Sequence, residues 1–154
     1  MKKYPERKLK LLFAGVGHED WFEEQVMQYA REHGVNCEYL GFQPPREVFG
    51  ISDLSVLSSV SEGFALVCTE SLAMECPVVR SDSPGHSDMS DVVLVHKQEN
   101  LEDLTEKIEY AMTHVEEMQA MAQKGRIKCE TVFSLEEMCR KTMETYQDVI
   151  KRTF

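Results

Sequence analysis

The chain has no apolar run approaching the roughly 20 residues that a membrane-spanning helix needs. Met1-Lys2-Lys3 leads into charge and not into the apolar stretch of a secretory leader. A cytoplasmic protein without a transmembrane segment is expected. Cysteine is sparse: Cys37, Cys68, Cys76, Cys129 and Cys139 make an odd count of five with no C-x-x-C pair. That pattern reads as buried structural thiols in a reducing compartment. His18, His33, His86, His96 and His114 are scattered, with no H-x-x-x-H or H-E-x-x-H, so no metal site is expected. Positive charge is also short, with 17 Lys and Arg against 27 Asp and Glu and a net charge of −10. Such a balance disfavours nucleic acid and anionic membrane as partners. The surplus carboxylates read as solvated helix faces. A bound phosphate would have to rest on backbone N–H groups and helix ends, or on basic residues from outside the chain. There is no internal repeat, low-complexity segment or linker, and 154 residues with 42% hydrophobic suit one soluble domain, 1–154.

What is present is an alternation. Leu9 to Ala14 is a near-continuous apolar run ending at Gly15-Val16-Gly17, which predicts a strand buried on both faces. Asp20 reads as an N-cap with Glu23 three residues on, and Phe22, Val26, Tyr29 and Ala30 follow at helical spacing up to Gly34. Cys37–Leu40 predicts a second strand, Pro44-Pro45 opens a brief helix through Val48-Phe49, and Leu54–Leu57 predicts a third strand. Leu66–Met74 predicts a helix in which Ser71 and Ala73 allow close packing. Pro77–Val79 starts a fourth strand, and Val92–Val95 looks like the last. Three helices follow: one with Leu101, Leu104, Ile108, Ala111 and Met112 on a face, one over Glu116–Glu130, and one opened by a Ser134/Glu137 capping box. The third carries Leu135, Met138, Tyr146, Val149 and Ile150 along its apolar side. Strands alternating with helices predict an α/β, Rossmann-like parallel sheet with right-handed crossovers and helices on both faces. Ligands of such sheets sit beyond the carboxyl ends of the strands. The loops of interest are therefore Gly15–Gly17, Gly41–Pro44, Ser58–Ala65 and Ser81–Gly85.

Gly15-x-Gly17 is not a full G-x-G-x-x-G, since Asp20 takes the third place. It reads as a tight strand-to-helix turn or as a close approach to a ligand. Ser61-Glu62-Gly63-Phe64-Ala65 is richer. It runs from a strand into a helix N-terminus, where free N–H groups carry the positive end of the dipole and can hold a diphosphate without a basic side chain. Gly63 lets backbone approach a ligand. Glu62 lies in the loop and Glu70 about one turn into the helix. One carboxylate can meet a sugar while the other accepts from a ribose diol. At this spacing alone, two surface charges are the simpler reading.

The run Glu62-Gly63-Phe64-Ala65-Leu66-Val67-Cys68-Thr69-Glu70-Ser71-Leu72-Ala73 closely resembles the E-G-F-G-L-V-x-x-E-A-M-A segment of family 4 glycosyltransferases, Glu62 and Glu70 matching its E-x7-E. Leu9–Gly17 looks like that family's K-L-V-I-V-G-x-G. Tyr39-Leu40-Gly41-Phe42 looks like its F-L-G-Y, and Ser52-Asp53-Leu54-Ser55-Val56 like its A-D-V-F-V. Cys76-Pro77-Val78-Val79 is similar to its G-x-P-V-V, and Phe133-Ser134-Leu135-Glu136 to its F-S-W-E. Their order is kept from about Leu9 to the end. The resemblance implies half of a GT-B enzyme: the C-terminal, nucleotide-sugar-binding domain. It implies that Glu70 holds the donor ribose and that Glu62, the catalytic candidate, lies near the donor sugar or its phosphate. It implies that the Gly63, Phe64, Ala65, Leu66 and Val67 amides hold sugar hydroxyls and diphosphate, and that Phe42 and Gln43 lie near the base. The implied chemistry is retaining transfer to an acceptor hydroxyl without cofactor or bound metal, chiefly by stabilising the leaving diphosphate.

Two departures stand out. Ala65 replaces the family's second loop Gly, and Asp82-Ser83-Pro84-Gly85-His86-Ser87-Asp88 stands where many members have D-x-G-G-x-x-E. The Arg and Lys that neutralise the diphosphate in the family should follow a first strand lying before Leu9. Lys2, Lys3, Arg7 and Lys8 are at the wrong end of their strand to replace them. The first strand, that basic pair and the N-terminal acceptor-binding domain are thus expected to lie outside this chain, leaving it inactive alone. The alternatives are a non-catalytic nucleotide-binding module and half of a nucleotide-sugar epimerase, although the acid–base set of the latter is not seen. A phospho-receiver is excluded, because its acidic strand ends are Gly15 and Ser58 here.

Overall fold

The computed structural model describes residues 9–16 and 19–153, which fall into two compact units, 1–48 and 49–154, each taken by itself below. Gly17 of the glycine turn and the basic residues Lys2, Lys3, Arg7 and Lys8 lie outside the described residues.

In the first unit, β1 (Leu11–Phe13) pairs in parallel with β2 (Cys37–Tyr39), Leu11 opposite Cys37 and Phe13 opposite Tyr39. The helical connection runs through α1 (Glu19–Phe22), a π-helical turn at Glu23–Met27, and α2 (Gln28–Glu32). Phe22 packs onto Phe13 and Tyr39 with ring centroids 4.9 and 5.0 Å away, which seats the helix on the two strands. Gly34, at φ +65°, closes the helix in the left-handed conformation, with the Val35 amide donating to Ala30 O at 2.8 Å. The short α3 (Pro45–Phe49) follows β2.

Three expectations change here. β1 is not buried on both faces, since Leu11 is half exposed and β1 pairs with β2 alone among the described residues. An apolar run shows that a strand prefers burial, not that two layers exist to supply it. Asp20 lies inside α1 and not at its cap, a first-turn place where the helix dipole also favours a carboxylate. The π turn was not foreseen.

The second unit carries a parallel sheet of β3 (Ser55–Leu57), β4 (Val78–Ser81) and β5 (Leu94–His96), in the order β3-β4-β5. All four residues of β4 are buried. Successive strand side chains point to opposite faces, so Val78 and Val79 mark the two sides. Val78 packs in one core with Cys68 and Leu72 of α4 (Leu66–Ala73) and with Met89, Val92 and Val93. Val79 packs in another with Ala111 of α5 (Leu101–Thr113) and Met118 of α6 (Val115–Thr131). Helices therefore cover both faces of this sheet, as the sequence implied.

Asn100 caps α5, its Oδ1 accepting from the Asp103 amide at 2.9 Å. Buried Ser71 is bonded to Ser55 Oγ at 2.8 Å and to Cys76 O at 3.0 Å, fastening α4 beside β3, whereas Ala73 is exposed. Gly125 of α6 is buried where a Cβ would come within 2.5 Å of Leu72 Cδ2, so α4 and α6 approach closely.

The last helix, α7 (Leu135–Thr153), departs most from expectation. Leu135, Met138, Tyr146, Val149 and Ile150 are all more than half exposed, as is Leu101 on α5. Periodicity shows which side of a helix is apolar; it does not show that anything covers it. The capping box is half made. The Glu137 amide donates to Ser134 Oγ at 3.2 Å, but the Glu137 carboxylate turns to Arg140, which holds it well down, at about 2. The cysteines are free but not uniformly buried. Cys68 and Cys76 are buried, Cys37 and Cys129 partly so, and Cys139 on α7 is exposed.

The α4–α6 contact yields a stability test. Alanine at an open helical site gains up to about 1 kcal/mol over glycine. At Gly125 the added methyl meets Leu72, and overpacking costs about 1–3 kcal/mol. Gly125→Ala should therefore lower the urea midpoint, and adding Leu72→Ala should relieve part of the loss. A raised midpoint would show that the helices are not in close contact there.

Candidate functional site

The parallel strands of the second unit end on one edge, and the loops after β3 and β4 meet there. The first, 58–65, enters α4 at Ala65, which occupies the N-cap place without a side-chain hydrogen bond. The Cys68 amide turns back to Ala65 O at 2.9 Å, and the Leu66 amide is taken by Phe64 O, also at 2.9 Å. The amides of Gly63, Phe64, Ala65 and Val67 have no acceptor among the described residues. Four free N–H groups at a helix N-terminus form a small field of positive potential, without a basic side chain. The Leu66 N–H, unlike those of its neighbours, is already taken by Phe64 O.

Glu62 is half-buried and Glu70 exposed, and neither has a hydrogen-bond or ion-pair partner among the described residues. Carboxylates left free on either side of free amides are available to a ligand's hydroxyls. Ala65 is buried as a whole residue, backbone included. Phe64 rests edge-on against Phe133 at 5.2 Å, over whose ring Lys128 Nζ lies at 5.5 Å. Leu66 and Val67 expose their side chains.

Gly63 has no positive φ, and a Cβ there would meet open space. Its missing side chain is therefore not demanded by fold, and leaves room above the loop. Gly85 is the opposite case. It sits at φ +79°, and a Cβ would lie 2.2 Å from Gly63 O. The loop after β4 thus presses directly on the loop after β3. Ser81 Oγ fastens the two, at 2.5 Å from Ser59 O. Beneath them the Cys68 thiol is pushed up to about 11, chiefly by burial, with Arg80 lowering it and Glu62 raising it further.

Phe42 and Gln43 belong to the first unit. Phe42 is 72% exposed, free to stack on a planar group, while the Gln43 side chain donates to Leu40 O at 2.9 Å and tightens its own loop. Gly15, at φ +150°, donates its amide to Gly41 O at 2.9 Å, and its carbonyl accepts from Tyr39 Oη at 2.9 Å. The turn after β1 is thereby tied to the turn after β2, as a strand-to-helix turn needs. Sequence reasoning missed the buried polar set under the second unit's loops: Arg80, Ser81 and Ser83, with His96 at the end of β5. The readable signal was an arginine standing between Val79 and Ser81 in an apolar strand.

The family model described as "Glycosyl transferases group 1" matches residues 1–128. EpsD of Bacillus subtilis (strain 168), whose name places it among the glycosyltransferases, is 28% identical over 81 residues, covering 53% of this chain and 21% of that protein. A solved glycosyltransferase from Rickettsia africae ESF-5 superposes with a TM-score of 0.84 at 21% identity, over 97% of this chain and 42% of its own. HepE of Anabaena, solved in complex with UDP and glucose, superposes at 0.79 with 16% identity, over 89% of this chain and 40% of its own. The α/β fold class read from the sequence agrees with these structures, and the chain spans about two fifths of their length. No helix among the described residues is long and apolar enough to cross a membrane.

The two glycines separate space from strain. Gly85→Ala, forced into a left-handed φ and onto Gly63 O, should cost about 1–3 kcal/mol in urea unfolding. Gly63→Ala should stay within about 0.5–1 kcal/mol of the parent. Equal costs for both would contradict the contact between the loops.

Proposed function

Because this chain belongs to the group 1 glycosyl transferases, we propose that residues 1–154 form the nucleotide-sugar-binding domain of a retaining glycosyltransferase. The observation that supports this most is the set of free amides at Gly63, Phe64, Ala65 and Val67 beside the unpaired carboxylates of Glu62 and Glu70. A donor diphosphate has the charge and the acceptor oxygens those amides lack. A ribose diol suits the two oxygens of Glu70. Glu62, nearer the loop's mouth, is the group proposed to face the transferring sugar. Phe42 and Gln43 are proposed for the base, Phe42 through its exposed ring.

In this reading the sugar–phosphate bond breaks toward the diphosphate, and the free amides stabilise the charge that develops on the leaving oxygen. The acceptor hydroxyl attacks on the face the leaving group vacates, which retains configuration, and its proton passes to the departing diphosphate oxygen. No metal ion takes part in the proposal. The acceptor is proposed to be held by an N-terminal domain beyond this chain, consistent with the chain's spanning about two fifths of its solved relatives.

Two outcomes test the reading. Glu70→Gln in the whole enzyme should weaken donor binding by about 1–3 kcal/mol, the worth of a charge-assisted hydrogen bond; unchanged affinity in calorimetry would remove Glu70 from the site. The 154-residue chain alone should bind nucleoside diphosphates with dissociation constants of roughly millimolar order and transfer no sugar. Micromolar binding would show that the phosphate affinity resides within this chain, and measurable transfer would show that it needs no second domain.

A further inference from the structure

Arg80 has no exposed surface, yet every acceptor it meets is neutral. Its Nη2 donates to Ser83 Oγ at 3.1 Å and its Nε to Ser81 O at 3.3 Å, while Nη1 lies 3.9 Å from Met89 Sδ. No carboxylate pairs with it among the described residues. A guanidinium held in the interior without a counter-ion is a cost to folding. The same unscreened charge attracts any anion that reaches the surface above it.

The polar groups around Arg80 lead toward one place. A hydroxyl has a single hydrogen. Ser81 commits its own to Ser59 O at 2.5 Å, so the 3.2 Å contact between Ser81 Oγ and Ser83 Oγ is made with the Ser83 hydrogen. The bonds then all run one way: Arg80 to Ser83, Ser83 to Ser81, Ser81 to the Ser59 carbonyl. Such a chain is polarised by the cation at its head. It links the central strand to the loop that carries Glu62 and the free amides. It also fixes Ser83 in the loop whose Gly85 abuts Gly63 O. The Cys68 thiol, raised first by burial, responds to both Arg80 and Glu62, so the two act across the same stretch of interior.

We propose that Arg80 is a positioning residue for the diphosphate end of the donor, its buried charge and its bond to Ser83 holding the 58–65 and 82–86 loops ready for an anion. This rests on the donor-binding reading above. Arg80 touches no ligand in this role. It supplies from below part of the positive charge that the amides offer only as dipoles.

The test uses the 154-residue chain and NMR titration. Wild type is titrated with UDP, GDP and ADP, and the tightest binder is then compared with its own uncharged nucleoside. Arg80→Met, of similar length without charge, should bind the diphosphate about tenfold more weakly and the nucleoside as wild type does. Arg80→Lys, whose single ammonium cannot keep both the Ser83 and Ser81 bonds and is more readily neutralised when buried, should bind the diphosphate between wild type and Arg80→Met. Equal diphosphate affinity in wild type and Arg80→Met would overturn the role while leaving the donor-binding reading intact. So would a parallel loss for diphosphate and nucleoside, which is what mere loosening of the fold produces. If Arg80→Met does not fold, Arg80→Gln is read by the same two ligands. Failure of all three variants to fold would assign Arg80 to stability alone. Wild type binding none of the three diphosphates would bring down the donor-binding reading, and this inference with it.

Discussion

Parallel pairing of β3 and β5 onto β4 obliges all three strands of the second unit to end on one edge. β4 can hold that position only because both its faces are covered, Val78 by α4 and Val79 by α5 and α6. Once the strand is fixed, the loops after β3 and β4 have nowhere to go but against each other. The contact of Gly85 with Gly63 O and the bond from Ser81 to Ser59 O are its consequences. The free amides of the α4 N-terminus are held by the same constraint, since α4 is fastened to β3 through Ser71 and to α6 through Leu72. The paired loops and free amides of the second unit are thus a property of its sheet edge and not of a single loop.

The chain's charge sharpens that view. With a net charge of −10, its long-range field repels a diphosphate. In the proposed reading attraction is local, from N–H groups whose acceptors are missing and from a cation kept out of water beneath them. Glu62 and Glu70 fit this arrangement as acceptors for hydroxyls, which carry no charge to repel.

Much of this was legible in the sequence. Five apolar stretches gave the strands to within a few residues. The glycine- and serine-rich breaks gave the loops at their carboxyl ends, and Glu62 to Val67 stood out because a polar loop ran straight into a helix N-terminus. What was not legible depends on what stands opposite a residue. Leu11, Leu101 and the apolar side of α7 look like core by periodicity, yet they are exposed. Leu66 looks like its neighbours in the loop, yet its amide is spent on Phe64 O. Arg80 looks like a surface charge, yet it lies at the centre of the second unit. Pairing, register and hydrogen-bond commitment are tertiary facts, which spacing along a chain does not encode.

The central claim is that specific backbone amides at the α4 N-terminus receive the diphosphate. It is tested most directly by following the amide resonances of Gly63, Phe64, Ala65, Leu66 and Val67 while inorganic pyrophosphate is added to the 154-residue chain. The account predicts the largest shifts at Gly63, Phe64, Ala65 and Val67, with Leu66 moving less because its N–H is already bonded to Phe64 O. Saturable shifts centred elsewhere in the chain, with these four unmoved, would contradict it.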